Sequence, residues 1–559
     1  ALPAAVDGVI TLENGTYVMS EDTTATIKVP NGKNATLDLN GKTLTNKTGE
    51  HTIIVENGAT LTITGNGIVD NVSHGKGAIV NSGEVTLNGG TFKRSAEKGT
   101  YSTNGNGGNS WYTIANYGTM EINTGVTVEN AGGYSSMIRN GGDVTADCNL
   151  TIEGGNFAGG INTVKNDSFG VLTINGGNFS NTAQYVIMNW NKAEITAGTF
   201  QTLDTASAVL FTSAYGGDAN TVGKLTISGG EFKHASDTQE MIVDHYDASN
   251  SGTAAVTGGK FDADISKYIP TDYVQSADGT VEKLGETNAV AKVGGTYYKT
   301  LADAVAAAQD GDTITLLKDA ELTSTLNLAK NITIDGQGKY TIKAANSFTV
   351  GSDNKTYCVL YVSGEVTLKD VTVNGNEKCR VIFCDKGKLT IDGATITNGK
   401  DPNFIGGVYM TSSASFEMKS GSITGNKNAK GYQNDEYLQY SSDLWIGANA
   451  NGALTAINGG TIGNVFVNAN AWSASNPGSF TMNGGTVTNL YVEHDANYGA
   501  TFKYNDGTIE HLYLSKENGN GQSIEVTPVK GVIYNGGVKE QDLVTLTMKY
   551  NDGATADST

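Results

Sequence analysis

GVLTINGGNFSN (170–181) is the stretch whose reading decides the fold. Leu172, Thr173 and Ile174 read as a short strand, because alternation puts Leu and Ile on one face and Thr on the other. Asn-Gly-Gly then breaks the run, and a second strand begins at Asn178 with only a few residues. The pattern returns as GEVTLNGGTFKR (83–94), GKLTISGGEFKH (223–234), GKLTIDGATITN (387–398) and GSFTMNGGTVTN (478–489). Asn-Gly between apolar runs is normally a hairpin signal. A hairpin fails here, since the second run is too short and the unit recurs at the period of a solenoid. After residue 360 the units start near 364, 387, 414, 453, 479 and 501, most of them 22 to 27 residues apart.

The sequence therefore predicts one coil per repeat, with two or three short strands joined by sharp bends. Each strand pairs in parallel with its counterpart in the next coil. Asn tolerates the left-handed backbone that a tight bend needs, and Gly adopts it freely. Stacking sets Asn88, Asn175, Asn458, Asn483 and Asn505 at equivalent bends, where their amides can hydrogen-bond from coil to coil. Thr86, Thr173, Thr226 and Thr481 point outward, and the flanking Val, Leu, Ile and Met fill the interior.

Composition agrees. Of 559 residues, 73 are Gly and only 6 Pro, and charged residues make up 17%. That balance suits β-structure with many tight turns. A net charge of −20 argues against nucleic acid, whose binding is dominated by cations that neutralise phosphates. It argues equally against anionic membrane surfaces. No apolar run approaches the ~18 residues of a membrane span. The opening ALPAAVDG (1–8) carries no charged or apolar leader region and reads as a mature or trimmed start.

Two solenoids are expected. The first covers 1–284 and ends in YVQSADGTVEKL (273–284), an Asp-Gly hairpin closing the stack. The second covers 285–540 and opens with YYKTLADAVAAAQDGDTITLL (297–317). There Thr300 can cap a short helix with Asp303 three residues on, Leu301, Val305 and Ala308 share a face, and Gly311 can end it. Such a helix, near 300–309, would shield the first coil from edge pairing. Residues 541–559 start a different pattern, either a linker or a following small β-repeat. Cys358, Cys379 and Cys384 lie about one repeat apart, open to a bridge between coils or to buried thiols; Cys148 stands alone.

The helix followed by GDTITLL and the repeated coils resemble the pectin-lyase-like right-handed parallel β-helices of large surface proteins in anaerobic Gram-positive bacteria. The closing MKYNDGATADST (548–559) resembles the opening of the small Listeria–Bacteroides-type β-repeats. The resemblance implies an all-β chain of two tandem β-helices at the cell surface or secreted. It leaves function open, because this fold hosts lyases, hydrolases and adhesins alike.

Uronate-acting enzymes of such a fold resemble one another in using Arg or Lys clusters and aspartates, often with calcium. This chain has three scattered arginines, Arg94, Arg139 and Arg380, and lacks the paired Asp, Gly-His-Gly and Arg-x-Lys set. No calcium-binding nonapeptide, HExxH or CxxC motif occurs, so neither a cofactor nor a structural metal is expected.

One constellation stands out. DLWIGANA (443–450), NVFVNANA (464–471), NLYVEHDA (489–496) and HLYLSKEN (511–518) set Trp445, Phe466, Tyr491 and Tyr513 in a column between two apolar columns. Inward-facing rings would bring Asp443, Asn464, Asn489, Asn468 and Glu493 inward too, at a cost of several kcal/mol unless all were paired. The rings are therefore expected to face out, and replacing Trp445 and Tyr491 by Ser should cost only about 1 kcal/mol. Either they form a stacked ladder or covered seam that stiffens the sheet, or they form a binding platform bordered by Asn468 and Glu493. Glu493 and Asp495 share a face about 7 Å apart by strand rise, the one candidate pair for two-carboxylate sugar hydrolysis. Two longer coils, 93–117 and 427–442, add aromatics that either bind or pin their own loops: Trp111 and Tyr112 in the first, Tyr437 and Tyr440 in the second.

The expected function is an extracellular, non-catalytic binding or adhesion segment. Its partner would be a polysaccharide or a host glycoprotein such as mucin or immunoglobulin. The alternatives are a carbohydrate-active enzyme and a passive spacer.

Overall fold

In the computed structural model, the described residues are 1–95, 111–130, 135–204, 208–214, 221–236, 239–401, 405–428, 442–447, 455–469, 477–494, 498–516 and 522–538. The chain divides into two compact units, Ala1–Lys283 and Leu284–Thr559. Each is a parallel β-helix, in which the strands of one coil pair with those of the next.

In the first unit every coil supplies a strand to a ten-stranded parallel sheet and further strands to a second sheet. The coil at 79–93 is representative, with strands Ile79–Asn81, Glu84–Leu87 and Gly90–Lys93. Leu172 pairs with Leu150 and Ala193, and Ile174 with Ile152 and Ile195, so like residues stack over like along the axis. The Thr residues between them face outward as the alternation requires.

The bends work differently from expectation. In GVLTINGGNFSN the left-handed position is the second glycine, Gly177 (φ +106°), while Asn175 keeps a negative φ. A Cβ on the preceding Gly176 would lie 2.6 Å from the carbonyl oxygen of Glu153 in the coil below. One glycine is required by dihedral angle and the other by close approach. The bend asparagines do bond between coils: Asn123 to Asn88, Asn483 to Asn458 and Asn505 to Asn483, at 2.8–2.9 Å. These bonds are exposed to solvent.

The bonds that matter energetically are elsewhere. Asn81, Asn116, Asn140, Asn166 and Asn189 end successive strands of the ten-stranded sheet with no exposure at all. Each side-chain amide donates to the next carbonyl oxygen at 2.7–2.8 Å, and Asn189 donates to Thr212 at 3.1 Å. A second ladder is apolar: Phe157, Phe179, Phe200, Phe232 and Phe261 stack inside with centroids 4.5–4.8 Å apart. The unit closes with the antiparallel pair Tyr273–Gln275 and Val281–Lys283 around the Asp278-Gly279 turn.

The second unit opens as a capped stack. Thr300 Oγ1 accepts from the Asp303 N–H at 3.0 Å and starts the helix Leu301–Ala307, which buries Leu301, Ala304 and Val305. The helix ends at Ala307 rather than at Gly311, whose φ of +92° serves the turn into strand Thr313–Leu316. Its last carbonyls are bonded by Lys330, whose ammonium donates to Ala306 at 2.7 Å and to Ala308 at 2.6 Å. Edge protection comes from a strand as well as from the helix, since Ala291–Val293 lies antiparallel on Thr313–Leu316. At the far end Ser523–Val526 lies antiparallel on Leu512–Ser515. All four cysteines are buried and free, and no described helix is long and apolar enough to cross a membrane.

Candidate functional site

The column read from the sequence is longer than four rings. Strand register aligns Tyr361, Phe383, Tyr409, Trp445, Phe466, Tyr491 and Tyr513 in consecutive coils of the second unit. All point away from the main core, as alternation demands. They are nevertheless not a surface. Trp445 is 9% exposed, Phe466 0% and Tyr491 1%, and with Ile405 these three form a second, separate hydrophobic core. Trp445 stacks on Phe466 at 4.2 Å, and Phe466 on Tyr491 at 5.1 Å, with nearly parallel ring planes in each case. Of the two arrangements the sequence left open, these rings take the covered ladder and not the exposed platform, with only Tyr361, Tyr409 and Tyr513 half-buried among the seven.

The polar border of this column is structural. Glu493 accepts from the Asn468 amide at 3.1 Å and from the Ala469 N–H at 2.7 Å, tying its coil to the preceding one. Asp443 is 2% exposed and accepts from the backbone and side chain of Asn426, from the Asn464 N–H and from Ser442. Burial pushes its carboxyl above the usual range despite those bonds. Asp495, Tyr437 and Tyr440 lie outside the described residues. Beside Phe383 and Tyr409 the buried Arg380 pairs with Asp401 at 2.6 Å and holds its guanidinium 4.9 Å from the Tyr409 ring. A buried pair of this kind fixes geometry more than it adds stability.

The corresponding sheet of the first unit presents a different face. Its outward column runs Ile54, Val80, Ala115, Arg139, Lys165, Met188, Phe211 and Val243 in register. Trp111 and Tyr112 enter this face just before strand Ile114–Asn116 and are both half-buried. Their backbone is fixed from beneath. The buried Arg94 donates from Nε to the Lys76 carbonyl at 2.7 Å and from Nη1 to the Trp111 carbonyl. Gly77 leaves the needed room, for its Cβ would stand 3.0 Å from the Trp111 ring. His51 packs on that ring at 4.5 Å. Its Nδ1 accepts from the Gly77 N–H, and burial, helped by Lys76, lowers its pKa to about 4. The imidazole under Trp111 is thus neutral at pH 7.

Arg139 completes the cluster. Its guanidinium lies 5.2 Å from the Tyr112 ring and 5.8 Å from the Tyr117 ring, within cation–π range of both. It also bonds Asp167 at 3.1 Å and the well-exposed Asp143 at 3.4 Å. Lys165, one coil on, reaches the same Asp167 at 2.8 Å. Burial alone would raise the Asp167 carboxyl, but Lys165 and Arg139 outweigh it and hold the group ionised below its ordinary range. Burial raises both tyrosine hydroxyls, so they stay neutral donors. The result is a patch of partly exposed rings around charged groups that are pre-positioned by one another.

The sequence singled out Trp111 and Tyr112 but treated the arginines as scattered. Folding brings Arg94 and Arg139 to the same two residues, from coils on either side. Tyr117 and Lys165 were also missed. The available signal was the strand phase, which puts Arg139 and Lys165 at the central outward position of IRN (138–140) and VKN (164–166).

No family profile matches the chain, and no curated protein matches it. Among solved structures the chain is similar to a PL6 family alginate lyase, AlyGC, at 12% identity, and to an arginine-to-alanine mutant of that enzyme at 13%. Each comparison covers 92% of this chain and 87% of the other, with a TM-score of 0.19.

Proposed function

We propose that this chain is an extracellular, non-catalytic binding segment of a bacterial surface protein, and that it recognises a glycan or a secreted glycoprotein on the outer face of its first solenoid. The observation that carries the reading is the Trp111–Tyr112–Tyr117–Arg139 patch. Flat rings offer an apolar face to sugar C–H groups, and the Arg139–Asp167–Lys165 network offers both donors and acceptors to hydroxyls. Groups already held by neighbours lose little freedom on binding, which favours affinity.

A glycan array and pull-downs with mucin and immunoglobulin test this directly. Trp111→Ala combined with Tyr112→Ala should lower the affinity of any hit about tenfold or more, because aromatic anchors carry a disproportionate share of binding energy. Incubation with mixed polysaccharides should produce neither new reducing ends nor unsaturated uronates. Their appearance would replace the binding reading with an enzymatic one, and a blank array and blank pull-downs would leave a spacer.

A further inference from the structure

The outward face that carries Arg139 does not end there. Two and three coils further on, the same column reaches Met188 and Phe211, and a second aromatic cluster gathers around Phe211. Tyr185 lies 4.8 Å from the Phe211 ring, and Trp190 lies 4.9 Å from it edge-on. Tyr246 lies 5.9 Å from Trp190. Phe211 and Trp190 are 2% and 8% exposed, and form a pedestal. Above them Tyr185 is half-buried and Tyr246 is 67% exposed. An exposed tyrosine on a rigid aromatic base contributes nothing obvious to the core beneath it.

Register gives the separation of the two clusters. Ala115, in the coil that Trp111 and Tyr112 enter, is followed by Arg139, Lys165, Met188, Phe211 and Val243, one per coil. From Ala115 to Phe211, the centre of the second cluster, four steps of ~4.8 Å make the track about 19 Å long. Rings stand at its two ends, and Arg139, Lys165 and Asp167 stand between them. A protein interface of this size would place its apolar anchors at the centre and its charges on the rim. Here the order is reversed.

We infer that the two clusters are the ends of one track that holds an extended, unbranched glycan parallel to the solenoid axis. Sugar rings pack on Trp111 and Tyr112 at one end and on Tyr185 and Tyr246 at the other. Hydroxyl groups of the middle residues bond the ion-paired network. This rests on the glycan reading above and adds chain form, direction and a second anchor.

The test uses the full chain and graded cello-, xylo- and chito-oligosaccharides from disaccharide to hexasaccharide, titrated calorimetrically. At least one series should bind, with affinity rising about tenfold or more along it as the second anchor is reached. Tyr185→Ala with Tyr246→Ala should abolish that rise. Tyr246→Phe, which keeps the ring, should restore most of it. A series that binds with no length dependence, or a double variant that binds the hexasaccharide like the parent, overturns the track but not the glycan reading. Failure of every series, and of the glycan array as well, overturns both. Retention of a glycoprotein with no binding of its released glycans points to a protein-reading surface and also overturns the track.

Discussion

IVNSGEVTL (79–87) and LYVSGEVTL (360–368) are the same piece of coil in the two units; they differ at three positions, and the first, Ile79 against Leu360, keeps an aliphatic residue. At the outward position Val80 corresponds to Tyr361; at the next, inward position Asn81 corresponds to Val362. Stacking multiplies each difference along a whole sheet. In the first unit the inward column becomes an asparagine ladder and the outward one a mixed, partly exposed face. In the second unit the inward column is apolar, from Val362 through Cys384, Met410, Ile446, Val467 and Val492 to Leu514. Its outward column is aromatic and largely covered. In a stacked fold a single residue choice is a choice of column, so the two faces diverge while the coil is kept.

The largest effect that would break this comparison is on stability. Phe466→Ala empties a fully buried site in the covered ladder and should destabilise the second unit by about 3–4 kcal/mol. Trp111→Ala, at a half-buried site in the first unit, should cost clearly less. Urea unfolding of both variants checks the contrast. Equal, small losses would mean that the ladder is not a core. For the same reason exchanging Trp445 and Tyr491 for Ser should cost well above the about 1 kcal/mol that an exposed pair would lose, since Tyr491 is 1% exposed.

A smaller effect sharpens the inward comparison. Asn140→Val puts into the first unit the residue type that the second unit uses, yet it should cost about 1–3 kcal/mol. The Asn116 amide would lose one of its acceptors and the Asn166 carbonyl its donor, both without exposure. A neutral substitution, measured by thermal melting of the whole chain, would show that the ladder is dispensable.

A third effect is a pH dependence that His51 gives the first unit. His51 titrates near 4 when folded and near 6.5 when unfolded, so between those values the unfolded chain binds more protons. Its contribution is complete above about 6.5 and is lost as pH falls toward 4. The melting temperature of the first unit should drop over that window. His51→Gln should flatten the drop, and an unchanged slope would remove His51 as its source.

Much of the fold was legible because its signals are local. Period, Gly-Gly bends and the phase of φ-Thr-φ strands follow from backbone sterics and alternation, and the Thr300–Asp303 cap is a contact three residues long. The buried asparagine ladder was also written in the sequence, as IVN, IAN and IRN before each bend. It was passed over because the Asn of Asn-Gly-Gly is a louder turn signal. Tyr361, Phe383 and Tyr409 were missed as members of the column because the coils between 400 and 443 lengthen and hide the register.

The candidate site divides along the same line. Alternation in the sequence by itself determined that Trp445, Phe466 and Tyr491 point out of the solenoid, and that Arg139 and Lys165 do so in the other unit. Whether an outward ring meets solvent depends on groups from other coils, such as Ile405 against Trp445, and no local pattern encodes that. The meeting of Arg94, Arg139, His51 and Trp111 likewise depends on the stacking of coils, which brings together residues 17 (Arg94 and Trp111) to 60 (His51 and Trp111) apart in the chain. Strand phase fixes direction, a property of one residue and its neighbours. Burial and charge pairing are properties of the stack, and only the tertiary structure decided them.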